Sequence, residues 1–430
     1  MTRKVPKPTF VRNLRYGLHD LNKLQVKDFL ETATDITLAI DDTPSPDGQQ
    51  SFTAAGAFDQ NGRFMCLGLA ETNSKTGEGI SETTKKILVD AGCMELVKEK
   101  IRTDGFGIMS DTCRAQKKAN RLLMGCFTGE EKDESGISCL MHLVSNAEKY
   151  AFSELPEGSQ NVLHSVKLLL GSRYMSGYHK TSIKPVFNAL LQKPKAAIFK
   201  TDQGSRYGVN SGNARAMLIH KSVILEAIDR SSNGGTHAQA VKNALETQWL
   251  KLAMTLACLA FFYFGVLSPF HSLVSKTVPW AVVKETIQLT REKLVSLKES
   301  DVDPFEVFQT AIAREEDISG QTKESWAIAQ DLYKDYDQKS FVKGLCARMA
   351  GRVLMKFDRD TKNLLESNIR PDETLPWTNR RVESCFAHLK DLMKRNQNLG
   401  GQLVCDVSQA KINDLAEWLS DQVSIKVTSL

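Results

Sequence analysis

Residues 35–41, Asp-Ile-Thr-Leu-Ala-Ile-Asp, alternate in the two-residue period of a half-buried strand, with Ile36, Leu38 and Ile40 on one face. The turn-rich stretch Thr43-Pro-Ser-Pro-Asp-Gly48 leads to a second strand over 51–58, and Asp59-Gln-Asn-Gly62 makes a tight turn into a third near 64–70. A helix is expected over 81–100, with Ser81 as its cap. A short strand over 106–110 runs into Asp111 and a helix to about Phe127, and 136–141 reads as one more strand. Hairpin strands followed by alternating helices and strands predict an α/β fold, a mixed sheet with helices on both faces.

Beyond this sheet the period changes. Residues 143–204 read as helices and loops, with KAAIFK at 195–200 open to a further strand. From Asn213 to about Met355 apolar residues recur every three or four positions, which predicts an all-α insertion. The expected organisation is a basic, extended and then briefly helical start (1–34), a first part of the α/β core (35–212), the all-α insertion (213–360) and a returning C-terminal part (361–430). Residues 252–267 are apolar throughout, but sixteen residues fall short of the roughly 20 that span a bilayer. Lys251 precedes the run and Ser268-Pro269 reads as a helix stop, so a buried helix is expected and no membrane partner.

Composition changes this picture little. Hydrophobic residues make up 41% and charged residues 25%, as in ordinary globular proteins, and 430 residues suffice for two or three structural units. A net charge of +5 permits a nucleic-acid partner without requiring one. Nine cysteines at irregular spacing and a start without an apolar secretory core point to reduced thiols in a cytoplasmic or nuclear setting.

Three acids stand out by position. Asp41 ends the first strand, Asp111 ends the fourth, and Glu383 lies on a C-terminal helix opened by Thr378 or Asn379. On that helix Val382, Phe386, Leu389 and Met393 form an apolar stripe, Glu383 borders it, and Lys390 and Lys394 follow on the same side. Carboxylates at adjacent strand ends suit Mg²⁺ or Mn²⁺, and two such ions roughly 3.5–4 Å apart serve phosphodiester displacement. The plainer reading makes the aspartates turn or cap residues and the helix a solvated amphipathic one.

The order of these motifs resembles the hAT DNA transposases. It comprises Asp41, then Ser110-Asp-Thr-Cys-Arg-Ala-Gln-Lys-Lys-Ala-Asn120, then Cys139-Leu-Met-His142. Gly204-Ser-Arg-Tyr207 follows, with Ser205 and Tyr207 departing from the family's Thr-Arg-Trp, and Thr378-Asn-Arg-Arg-Val-Glu-Ser-Cys-Phe-Ala-His-Leu-Lys390 resembles the catalytic-glutamate helix. The resemblance covers about residues 35–410. It implies a ribonuclease-H-like fold interrupted by an all-helical insertion, with Asp41, Asp111 and Glu383 as catalytic residues and ligands of two Mg²⁺ or Mn²⁺ ions. Asp42 is the alternative for the first position. Cys139 and His142 would pack beside the site, and Arg206, with Lys390 and Lys394, would meet DNA.

Structural zinc is not expected, because Cys139 and His142 have no second close pair of ligands; Cys113 and Cys126 each stand alone. Trp249, Trp280 and Trp326 can be read as base-stacking residues or as core. A nucleotide-binding enzyme is disfavoured by the lack of a glycine-rich loop after the first strand, and a serine hydrolase by the lack of a Gly-x-Ser-x-Gly elbow. The expected partner is DNA, at transposon ends, in the nucleus, with homo-oligomers usual in the resembling family. The first cysteine is Cys66, so no zinc finger fits the first 34 residues, and end recognition would need a separate domain or partner. The alternative reading is a catalytically idle, transposase-derived protein that binds DNA or protein.

Overall fold

The computed structural model describes the chain apart from residues 1–7, 46–47, 49, 104–106, 112, 130–136, 172–182, 193–197, 201–207, 232–234, 277, 315–319, 335, 367–368, 373, 376, 379, 396–400 and 429–430. In chain order its elements are α1 (Pro8–Thr32), β1 (Thr37–Pro44), β2 (Ser51–Phe58), β3 (Phe64–Glu71), α2 (Gly77–Asp90), α3 (Met94–Thr103), β4 (Gly107–Ser110), α4 (Arg114–Thr128), β5 (Ile137–Ser138) and α5 (Leu140–Ser153). There follow α6 (Glu157–Leu170), α7 (Ile183–Leu190), α8 (Val209–Asp229), α9 (Gly235–Thr247), α10 (Trp249–Phe262), α11 (Ser268–Val274), β6 (Val278–Pro279), α12 (Trp280–Glu299), α13 (Pro304–Arg314), α14 (Gly320–Leu332) and α15 (Tyr336–Leu365). The chain closes with β7 (Thr374–Leu375), α16 (Arg380–Arg395), α17 (Gly401–Ile412) and α18 (Leu415–Thr428). Two compact units result. One comprises Met1–His142, Ser275–Ala281 and Asn363–Leu430; the other comprises Leu143–Val274 and Val282–Lys362.

The first unit is a mixed α/β structure. Its five strands run in the order β3-β2-β1-β4-β5, with β1, β2 and β3 antiparallel and β4 and β5 parallel to β1. The β2–β3 turn follows the expected chemistry: Asp59 Oδ1 accepts the backbone N–H groups of Asn61 and Arg63, and Gly62 takes a φ of +73°. Gly56 marks a register shift between β2 and β3; a Cβ there would lie 2.3 Å from the Phe64 ring, so only glycine lets the ring lie over the strand. On one side of the sheet Leu38, Ile40 and Ile108 join Phe29 and Leu30 of α1, Leu88 of α2 and Leu123 of α4 in the main core cluster. On the C-terminal part of the chain, α16 packs against β1 and β2, and α17 against β3.

Four local features differ from expectation. The helix expected over 81–100 is two helices, because Gly92 adopts a φ of +67° and the Cys93 N–H turns back to Leu88 O. Ser81 is buried inside α2, and the cap is Thr76, whose Oγ1 accepts the Gly79 N–H at 3.2 Å. The brief N-terminal helix extends over 25 residues from Pro8, a residue suited to a first helical turn. Of the strand expected over 136–141, the described residues give only Ile137–Ser138, since α5 begins at Leu140.

The second unit is helical over its described residues. Its boundary falls at 142/143 rather than at 212/213, because α6 packs on α9 and α7 on α8. Within 195–200, the described residues 198–200 form no strand; the rest of that segment lies outside the described residues. Ser268-Pro269 does not stop the apolar helix. Tyr263–Leu267 forms a π-helical turn in which the Ser268 N–H reaches Tyr263 O, so the proline enters where the ordinary four-residue ladder is already interrupted. The helical run Trp249–Val274 is long and apolar enough by composition to cross a membrane, and 83% of its most apolar window is buried in the protein.

Candidate active site

Strand register decides which acids can meet. In the parallel pair β1–β4, Thr37 lies opposite Gly107 and Ala39 opposite Met109. Continuing that register by two residues sets Asp111 level with Asp41, on strands about 4.8 Å apart. Ser138 pairs with Ser110 on the other side, and the Cys139 N–H donates to Ser110 O at 3.0 Å. Asp111 and Cys139 follow directly on the carboxyl ends of β4 and β5, whereas β1 runs on to Pro44, so Asp41 lies inside its strand rather than ending it as expected, because residues 42–44 go on pairing with β2.

Side-chain alternation separates Asp41 from Asp42. Thr43 accepts a hydrogen bond from Lys390 Nζ of α16 at 2.6 Å, so this face of β1 meets α16, and Asp41, two residues away, shares it. Asp42 points to the opposite face, where the Gln116 side-chain amide of α4 donates to its Oδ1 at 2.7 Å. Asp41 is 5% exposed, and its Oδ1 accepts the Asp42 N–H at 2.9 Å.

Asp111 is anchored from below. Asn120 of α4 donates to Ser110 Oγ at 2.8 Å, and that hydroxyl donates to Asp111 O at 3.2 Å. Glu383 stands in the first turn of α16, and the buried Val382, Cys385, Phe386 and Leu389 hold the helix down. His142, in the first turn of α5, joins the two acids. Its Nε2 lies 3.5 Å from Asp111 Oδ2 and 3.5 Å from Glu383 Oε1. The imidazole side chain is 6% exposed and the carboxylate side chains 26% and 23%, so a buried ring stands behind two part-exposed acids. Negative charge gathered here also reaches Cys113: burial pushes its thiol up first, and the Asp111 and Asp42 carboxylates add to the shift.

The donor types fit a hard divalent cation, which takes carboxylate oxygens. Their placement does not yet close around one, for among the described residues no three His, Cys, Asp or Glu groups stand so as to hold a metal ion. The Cys139 thiol contacts Thr378 Oγ1 at 4.0 Å, and the first turn of α5 closes through the His142 N–H to Cys139 O at 3.1 Å. Lys390 is half-buried and spends its ammonium partly on Thr43, while Lys394 is exposed. Arg206 lies outside the described residues.

Two participants were not legible as such in the chain. Gln116, which holds Asp42 on the far face, is one polar residue among several on an amphipathic helix. Trp377 is fully buried and its carbonyl accepts the Leu140 N–H at 3.0 Å, linking the starts of α16 and α5. Of the tryptophans open to base stacking, Trp280 and Trp326 are buried, Trp326 edge-on to Phe261 at 4.7 Å. Trp249 is half-buried with Lys221 Nζ 4.4 Å from its ring centre. No protein-family model matches the chain, and no curated protein matches it.

Proposed function

We propose that this protein is a transposase-like catalytic core of the hAT type, acting by phosphodiester hydrolysis and strand transfer on DNA, with Asp41, Asp111 and Glu383 as its catalytic carboxylates. One observation carries the reading. Glu383, from the far end of the chain, meets the same imidazole nitrogen as Asp111, and Asp111 continues the register of Asp41. Carboxylate oxygens gathered near one another on a sheet are the donor type a hard divalent cation takes, which supports the reading.

The five-stranded mixed sheet and the separate helical unit that interrupts it in sequence support a ribonuclease-H-like core with an all-α insertion. Asp41, Asp111 and Glu383 would hold Mg²⁺ or Mn²⁺, which when bound supplies charge stabilisation at the phosphate and an activated attacking oxygen. The protein's own part is to aim three carboxylates to one site, to set His142 behind two of them, and to present Lys394 to backbone phosphate. DNA at transposon ends, a separate end-binding domain or partner, self-association and a nuclear location belong to the same proposal.

The test is cleavage of DNA carrying candidate ends in Mn²⁺, with Asp111→Asn and Glu383→Gln as controls. Cleavage that survives both substitutions would remove the assignment. The second reading, an idle transposase-derived protein that binds DNA or protein, is favoured by the absence of a closed metal-holding group among the described residues. It predicts salt-sensitive DNA binding, or protein binding, without any cleavage.

A further inference from the structure

We infer that Trp280 and Trp377 form a clasp that positions the His142–Asp111–Glu383 cluster, making the short segment Ser275–Ala281 a positioning element of the site. The chain leaves the first unit after His142, and before its final return at Asn363 it comes back only for Ser275–Ala281. That brief return is firmly tied. Val278 and Pro279 pair antiparallel with Leu375 and Thr374, and the Ala281 N–H donates to Pro371 O at 2.9 Å. The Trp280 ring lies on Trp377 with centroids 5.4 Å apart, and the Trp377 indole N–H donates to Val278 O at 2.9 Å.

Trp377 passes this anchoring to the cluster in two directions. Its carbonyl accepts the N–H of Leu140, the first residue of α5, two residues before His142. Its chain successor Thr378 meets the Cys139 thiol through Oγ1, and α16 opens three residues after Trp377 with Glu383 in its first turn. The indole thus fixes where both first turns start. Trp280 is 3% exposed and Trp377 1%, so neither ring is offered to a ligand, and both are positioning residues rather than catalytic ones. The segment holding Trp280 is remote in sequence from every acid of the cluster, which makes it separable by mutation.

This inference rests on the cluster being the reactive site, and the experiment separates the two claims. In the full chain, the ring carbon–proton signal of ¹³C-labelled His142, assigned by loss in His142→Gln, is recorded for Trp280→Ala, Trp280→Phe, Trp377→Phe and the control Trp326→Ala, alongside melting temperatures. The expected result is a displaced or broadened His142 signal in Trp280→Ala, recovery in Trp280→Phe, and no change in Trp326→Ala although that variant also loses stability. If Trp280→Ala does not fold, Trp377→Phe, which removes the indole N–H and keeps an aromatic ring, must displace the signal. An unmoved signal in Trp280→Ala, in Trp377→Phe where that variant decides, or equal displacement by Trp326→Ala, overturns the clasp. If wild type cleaves DNA, Trp280→Ala should lower kcat by about 10²-fold with KM little changed, the cost of a small misplacement. Wild-type protein without cleavage defeats the proposed reaction, while the His142 signal still decides the clasp.

Discussion

Glu148 and Glu383 are both helical glutamates, and the two units use them in opposite ways. In the helical unit Glu148 is 3% exposed, and its carboxylate accepts the Gly208 N–H at 2.8 Å and both the N–H and Oγ of Ser211 at 2.9 Å. It closes the start of α8, where Gly208 has a φ of +65° and a Cβ would lie 2.8 Å from the Tyr263 ring. All of these contacts come from its own fold. Glu383 instead lies part-exposed near a second acid, the two carboxylates each 3.5 Å from the same His142 nitrogen. A buried acid answered by several donors is explained by folding alone. Two part-exposed acids brought from opposite ends of the chain to one imidazole form a different arrangement, and it is this one that the proposed reaction uses.

The contrast is sharpest under substitution. Asp41→Asn, Asp111→Asn and Glu383→Gln are each expected to lower Mn²⁺-dependent DNA cleavage by about 10²–10³-fold, the scale seen when one charge-stabilising group is lost. The part-exposed Asp111 and Glu383 variants should keep their stability to within about 0.5 kcal/mol. A stability loss in Glu383→Gln as large as that of a Glu148 variant would break the comparison. Glu148→Ala should cost about 1–3 kcal/mol, because it orphans buried N–H donors at the start of α8, and denaturant titration measures it.

Glu148 also carries a pH signature. Burial pushes its carboxyl above the usual range, with the Ser211 and Gly208 hydrogen bonds only partly opposing. Between the usual carboxylate value and the raised one, the native state holds more protons than the unfolded chain. Stability should therefore fall as pH rises through that window, and Glu148→Gln should flatten the profile in melting curves. A smaller effect is expected at Lys394, whose replacement by alanine should reduce the salt slope of DNA binding by about one, read by titration at several salt concentrations. The smallest concerns Asp42→Asn: its side chain serves Gln116 on the other face, so cleavage should stay near wild type, and a loss matching Asp41→Asn would reassign the first acid.

Alternation and apolar stripes, being local, place the first four strands and the Glu383 helix but not the end of β1, which its pairing with β2 carries on to Pro44. Alternation sets Asp41 and Asp42 on opposite faces but does not decide which face meets the glutamate helix. Both follow the same apolar run, and only the partners of Thr43 and Asp42 reveal which face each occupies. The start of the helical unit, expected at 213, falls at 143 for a similar reason: helices at 143–170 look alike whether they cover a sheet or pack on other helices. Arg206 lies outside the described residues.

By itself the sequence determined the mixed strands and helices, the Asp59–Gly62 turn, and the buried character of the apolar run, because dihedral preference and hydrophobic period act over a few residues. Only the tertiary structure decided that Glu383 meets His142 beside Asp111, that Trp280 returns to clasp Trp377, and that Glu148 is consumed by α8. Those are contacts between residues far apart in the chain, fixed by how whole elements pack, and no local pattern encodes the distance between them.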